Sequence, residues 1–157
     1  MINRRLVLSL CILALTLPTF AQKTSKKTSE AGAPDKALMQ KIWDRWATLD
    51  PANVDQFYAK GDHTFFDIAP LKYSSWDEYK KNVINVLADY KSATCTVNDD
   101  AQIHSAGDFA WGSATVKYDM VHKSGKHDMG NFRWTVIWQK EDGKWLTVHE
   151  HVSEPLQ

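Results

Sequence analysis

The chain has 157 residues, enough for one domain with a sizeable core and too few for two comfortable ones. Its 43% apolar and 24% charged content is that of a globular protein and excludes a disordered chain as the starting class. Nineteen Lys and Arg balance nineteen Asp and Glu with no basic stripe at helical spacing, which excludes nucleic acid as the expected partner. Seven tryptophans are costly to expose in so short a chain, so these rings fill a core or line a pocket.

The first 21 residues read as an export signal. Arg4 and Arg5 precede an apolar run from Leu6 to Leu17, Pro18 breaks it, and Ala21 offers a small residue for cleavage. Twelve apolar residues fall short of the roughly 20 needed to span a bilayer. A secreted or periplasmic protein with no membrane attachment after cleavage is expected. Residues 22–34, rich in Lys, Ser and Thr, form a flexible linker, and one domain follows over 35–157. Cleavage leaves Cys95 as the sole cysteine, so no intrachain disulfide supports the fold. With no activating motif beside it, Cys95 is expected to be buried and inert.

Asp35 can cap a helix running to about Leu49, with Leu38, Ile42, Trp46 and Leu49 on one stripe widened by Met39 and Trp43. Asp50-Pro51 opens a second, short helix that buries Val54, Phe57 and Tyr58 and ends at Gly61. A short strand covers 63–68. Ser75-Trp76-Asp77-Glu78 is a capping box for a third helix, to about Tyr90, carrying Trp76, Tyr79, Val83, Val86 and Leu87 on one side. From Ala93 the period becomes two, predicting strands over about 94–104, 109–121, 130–139 and 144–153. Gly107-Asp108, Ser124-Gly125 and Asp142-Gly143 supply hairpin turns, so these strands are antiparallel. The class is α+β, with three N-terminal helices covering one face of a sheet.

The stretch Thr135-Val-Ile-Trp138-Gln-Lys-Glu-Asp142-Gly-Lys-Trp145-Leu-Thr-Val-His149-Glu-His151-Val-Ser153 resembles the final hairpin of SnoaL-like proteins and of the calcium/calmodulin-dependent protein kinase II association domain. His104-Ser-Ala-Gly107-Asp108 is similar to an earlier turn of that association domain. The element order resembles the nuclear-transport-factor-2-like superfamily over about 36–156. The resemblance implies a cone with a curved, mainly antiparallel sheet wrapped around the helices and a cavity at its open end. That superfamily hosts enzymes, binders and assembly modules alike.

Tyr58-Ala-Lys-Gly-Asp-His-Thr-Phe-Phe-Asp67 resembles the ketosteroid-isomerase segment that ends in the general base, which implies Asp67 as a catalytic carboxylate. Phe65, Phe66 and Ile68 around it favour desolvation, which raises a carboxyl pKa and improves a base. The isomerase's oxyanion-holding tyrosine would fall near Trp46, which has no hydroxyl, and its second acid has no match in 131–139. Steroid isomerisation itself is therefore disfavoured.

His149 and His151, two apart on a strand, share a face with Trp145, Thr147 and Ser153 under strict alternation. Arg133 alternates onto the neighbouring strand's equivalent face. If the registers match, Arg133, His149 and His151 converge into a polar patch able to hold a carbonyl or carboxylate, His151 serving the chemistry beside Asp67. The alternative makes this the solvated face and Phe132, Trp134, Val136, Trp138, Leu146, Val148 and Val152 the buried one, with Glu150 an anomaly among them. Two strand histidines need a third ligand such as His104 or Asp67 to hold a metal, and no metal or cofactor is expected. Trp46, Tyr58, Trp76, Tyr79, His104 and Trp111 are the candidate ligand-binding side chains. Three functions stay open: a proton-transfer enzyme acting on a small, partly apolar carbonyl or carboxylate compound, a non-catalytic binder of such a ligand, and an oligomerisation module. A homodimer or larger homo-oligomer suits each.

Overall fold

A computed structural model of the chain describes residues 32–155. The expected export signal, residues 1–21, lies outside the described residues, as does most of the linker. Among the described residues no helix is long and apolar enough to cross a membrane.

Helix α1 spans Lys36–Trp46, and Asp35 caps it by accepting the Leu38 N–H at 2.8 Å. Its inner face buries Met39, Ile42 and Trp43. Asp50 then accepts the Ala52 N–H at 2.9 Å, but the expected second helix is two 3-10 turns, Pro51–Asn53 and Asp55–Phe57. Two short turns suffice to bury Val54 and Phe57, and Tyr58 is already extended, bridging in parallel to Thr147. Strand β1 is only Phe65–Phe66. Helix α2, Trp76–Leu87, is capped by Ser75, which accepts the Glu78 N–H at 3.2 Å, while the Glu78 carboxylate reaches back to the Ser74 N–H at 2.7 Å.

The remaining strands are β2 Tyr90–Val97, β3 Gln102–Ala106, β4 Phe109–His122, β5 His127–Glu141 and β6 Lys144–Ser153. Tyr90, expected to end α2, begins β2 instead. The single strand expected over 94–104 is two, both paired with β4, because the four residues between Val97 and Gln102 face only Ala114 and Thr115. Asp100 holds this excursion by accepting the Thr115 backbone N–H at 3.0 Å. The sheet order is β1-β6-β5-β4-β2, antiparallel except for β1 on β6. Asp142 (φ 49°) and Gly143 (φ 77°) make the two-residue turn between β5 and β6, whose left-handed backbone explains the Asp-Gly pair.

The helices cover one face of the sheet. Ala110, Ala114 and Val116 of β4 and Phe132, Trp134, Val136 and Trp138 of β5 are buried against them. On β6 the alternation breaks. Ile137 pairs with His149 but Trp138 pairs with Thr147, leaving Val148 as a bulge. Trp145 and Thr147 are therefore buried before the bulge, Glu150 and Val152 after it, and Leu146 and Val148 are only half-buried. Trp145 and Thr147 do not share a face with His149 and His151, contrary to the strict alternation.

Candidate functional site

A cavity of about 510 Å³ opens between α1, α2 and the inner face of the sheet. Trp43 and Trp46 reach it from α1, Tyr79 and Val83 from α2, and Tyr118 and Phe132 from β4 and β5. The rings brace one another. Trp43 stacks on Phe132 at 5.7 Å between centroids, Tyr118 stacks on the other side of Phe132 at 4.0 Å, and Trp46 lies against Tyr79 at 5.5 Å. Two carboxylates, Asp67 and Glu150, complete the inner wall.

Their meeting follows from strand register. Phe65 of β1 pairs with Glu150 of β6, and Asp67 comes two residues after Phe65, on the same side. The bulge at Val148 turns Glu150 to this side as well. Glu150 is 1% exposed. The Tyr58 hydroxyl donates to both of its oxygens at 2.9 Å, and the Trp134 indole N–H donates to Oε2 at 3.0 Å. Asp67 is held by the Ile68 N–H at 2.8 Å.

No charge offsets the burial of this pair, so desolvation dominates. Glu150 is pushed up to about 7, against the pull of its Trp134 and Tyr58 donors and with the negative charge of Asp67 adding to the rise. Asp67 is raised by the same desolvation, partly countered by the Ile68 N–H and the Tyr79 hydroxyl. Tyr79 also lowers Glu150, so its hydroxyl acts on both carboxylates.

The structure distributes the sequence candidates unevenly. Asp67, Trp46 and Tyr79 line the cavity. Tyr58 and Trp76 stand behind its wall, stacked at 4.0 Å, with Tyr58 serving Glu150 and the Trp76 indole donating to Asp55 at 2.8 Å. His104 and Trp111 pair across β3 and β4 and stack at 5.4 Å on the sheet's outer face, where Trp111 is 46% exposed. Arg133 is also outside, donating to the Glu154 carbonyl at 2.6 Å. His149 bonds the Thr64 carbonyl at 2.7 Å, and both His149 and His151 set their rings against Phe66. The convergence of Arg133, His149 and His151 into the pocket thus does not occur, because the bulge sends the two histidines outward.

Glu150 is the functional candidate that alternation missed. Its signal was visible as a carboxylate between Val148 and Val152 on an apolar strand. Cys95 also reaches the cavity, where burial and the Asp44 charge push its thiol up to about 12, leaving it protonated and unreactive. Among the described residues no cluster of three or more His, Cys, Asp or Glu is arranged to hold a metal ion.

A family model of the SnoaL-like domain matches residues 36–157. The chain belongs to the SnoaL-like family. Among curated proteins none matches it by sequence. Solved structures share the fold of this SnoaL-like domain. A proposed calcium/calmodulin-dependent protein kinase II association domain from Xanthomonas campestris is 23% identical, with 77% of this chain and 85% of that one covered and a TM-score of 0.67. A nuclear transport factor 2-like superfamily protein from Salmonella enterica is 18% identical, covering 78% and 92%, also at 0.67. A proposed scytalone dehydratase from Novosphingobium aromaticivorans is 14% identical, covering 76% and 83%, at 0.65. Identities this low carry the nuclear-transport-factor-2-like fold of the SnoaL-like domain and no activity.

Proposed function

We propose that the cavity binds a small, partly apolar carbonyl compound and moves a proton on it. Asp67 acts as general base: the substrate C–H beside the carbonyl breaks, the proton passes to the Asp67 carboxylate, and the electron pair moves to the carbonyl oxygen. Tyr79, whose hydroxyl favours the ionised Asp67 before reaction, turns its single O–H to that oxygen once Asp67 carries the proton. Asp67 returns that proton to carbon, and its negative charge raises the proton affinity of the neighbouring Glu150. The observation that carries this reading is the pair of coupled carboxylates on an aromatic wall with only neutral donors around them. A fold shared with a proposed dehydratase agrees with it. The basic start and apolar run before Ala21 support action outside the cytoplasm.

The test is solvent exchange on β-tetralone, an aromatic-fused ketone. In deuterium oxide the protein should accelerate exchange of the protons beside the carbonyl, read by NMR. Acceleration that persists in the Asp67→Asn, Glu150→Gln double variant would sink the reading.

A second reading concerns assembly. Phe109 and Trp111 are 49% and 46% exposed on the outer sheet face, and the Xanthomonas neighbour is a proposed association domain. We infer that this face meets a second copy of the chain. Light scattering on wild type and Trp111→Glu decides it: a monomer in both refutes the interface.

A further inference from the structure

The charge of the cavity is one-sided. Asp67, Glu150, Asp128 and Glu154 all reach its wall, and among the described residues that line it there is no lysine or arginine. The rim carboxylates are already engaged. Asp128 pairs with His122 at 2.5 Å and Lys126 at 2.9 Å, and Glu154 accepts the Tyr118 hydroxyl. The rim imidazole of His127 is likewise held, by Asp119 at 2.8 Å. Deeper in, the two remaining carboxylates have only uncharged partners: Tyr58, Trp134, Tyr79 and the Ile68 N–H.

This asymmetry sorts ligands by charge. An anion would enter beside two carboxylates in a site of low dielectric with no cation to offset it. A neutral compound would meet no such repulsion. A cation would find two carboxylates whose own repulsion it relieves, and the half-buried Trp46 ring beside them would add attraction through its quadrupole. The rest of the wall is hydrocarbon and aromatic, as Val83, Leu87, Phe132 and Val152 show. The cavity therefore asks for an apolar body as well as a charge. Its 510 Å³ lies within the roughly 300–1,000 Å³ of small-molecule sites.

We propose that the ligand of this cavity is an apolar organic cation, a compound whose protonated amine sits between Asp67 and Glu150 against Trp46 and Tyr79 while its hydrocarbon body lies along Phe132 and Val83. The proposal rests on the reading above that the cavity binds a small compound. It narrows that compound to one bearing an amine and removes carboxylates from the substrate class.

Three probes with one naphthalene body separate the possibilities: α-naphthylmethylamine, α-naphthylmethanol and α-naphthoate, titrated by calorimetry into the full-length mature protein at neutral pH. The amine should bind at least about tenfold more tightly than the alcohol, and the naphthoate more weakly than both. The preference for amine over naphthoate should collapse in Asp67→Asn and in Glu150→Gln, with the alcohol reporting in each variant whether the cavity is intact. Naphthoate binding as tightly as the amine to wild type would overturn the cationic ligand while the cavity reading stands. An amine preference that both variants retain would overturn its placement between the two carboxylates. No binding by any of the three would overturn both readings together.

Discussion

The hydroxyl of Tyr58 sits 2.9 Å from both carboxylate oxygens of Glu150 and itself accepts the indole N–H of Trp46 at 2.9 Å. With the Trp134 N–H on Oε2, this makes a buried network of neutral donors converging on one carboxylate. Neutral donors stabilise the ionised form less than a cation would, so burial wins and Glu150 stays basic.

Removing the Tyr58 hydroxyl removes a donor that favours the ionised carboxylate. Tyr58→Phe should therefore raise the Glu150 midpoint further above about 7 and cost about 1–3 kcal/mol of stability, since the Trp46 N–H also loses its acceptor. Titration of the Glu150 carboxyl carbon by NMR reads the midpoint. A downward shift would contradict the network.

The same carboxyl makes stability depend on pH with a definite sign. Its folded value of about 7 lies above the ordinary 4.5, so between these values the folded state holds more protons than the unfolded one. The Glu150 contribution is fully present below pH 4.5 and is lost as pH rises through about 7, a change on the order of 3 kcal/mol. Asp67, raised likewise, adds in the same direction. Denaturant melts of wild type between mildly acidic and mildly alkaline pH should show this fall, and Glu150→Gln should flatten most of it.

Site placement gives a contrast between variants. Asp67→Asn should slow β-tetralone exchange by about a hundredfold or more, the typical worth of a positioned base. His151 shares a second, shallow surface pocket with Asp67, but neither it nor Arg133 reaches the cavity, so His151→Ala and Arg133→Ala should leave the rate within about twofold. A large loss in His151→Ala would return that histidine to the site.

Packing under β5 gives a test independent of chemistry. A Cβ on Gly112 would stand 3.2 Å from two ring carbons of Trp138, which is fully buried, and 3.3 Å from the Gln102 carbonyl oxygen. Neither neighbour can move aside freely. Gly112→Ala should cost about 1–3 kcal/mol, read as a lowered Tm with the far-ultraviolet spectrum retained.

Where local chemistry decides, the sequence was sufficient. Asp35 and Ser75 start the helices they were expected to start, and Asp142-Gly143 makes the turn its backbone preferences demand. The period-two pattern grouped Phe132, Trp134, Val136 and Trp138 on one face, and the structure makes that face the buried one. Caps, turns and alternation are properties of neighbouring residues, and they specify the α+β class, while the family was legible only through the resemblance of the 135–153 stretch. The short second helix failed because two 3-10 turns bury Val54 and Phe57 equally well, and the strand over 94–104 split because its pairing with β4 accommodates two extra residues.

The site was decided by contacts distant in sequence. Strict alternation along β6 sends His149 and His151 inward with Trp145 and Thr147. One bulged residue, Val148, reverses the phase, and that bulge exists only in the pairing of β6 with β5. The parallel docking of β1 on β6 then carries Asp67, more than eighty residues earlier in the chain, to the carboxylate the bulge has turned inward. The sequence by itself determined the helix caps, the hairpin turns and Asp67 as a candidate, and left open which face of the sheet is buried. Only the tertiary structure decided that Glu150 joins Asp67 at the cavity wall while His151 faces outward, because strand register and a single-residue bulge are set by pairing between strands, and the local pattern showed no more than a carboxylate on an apolar strand.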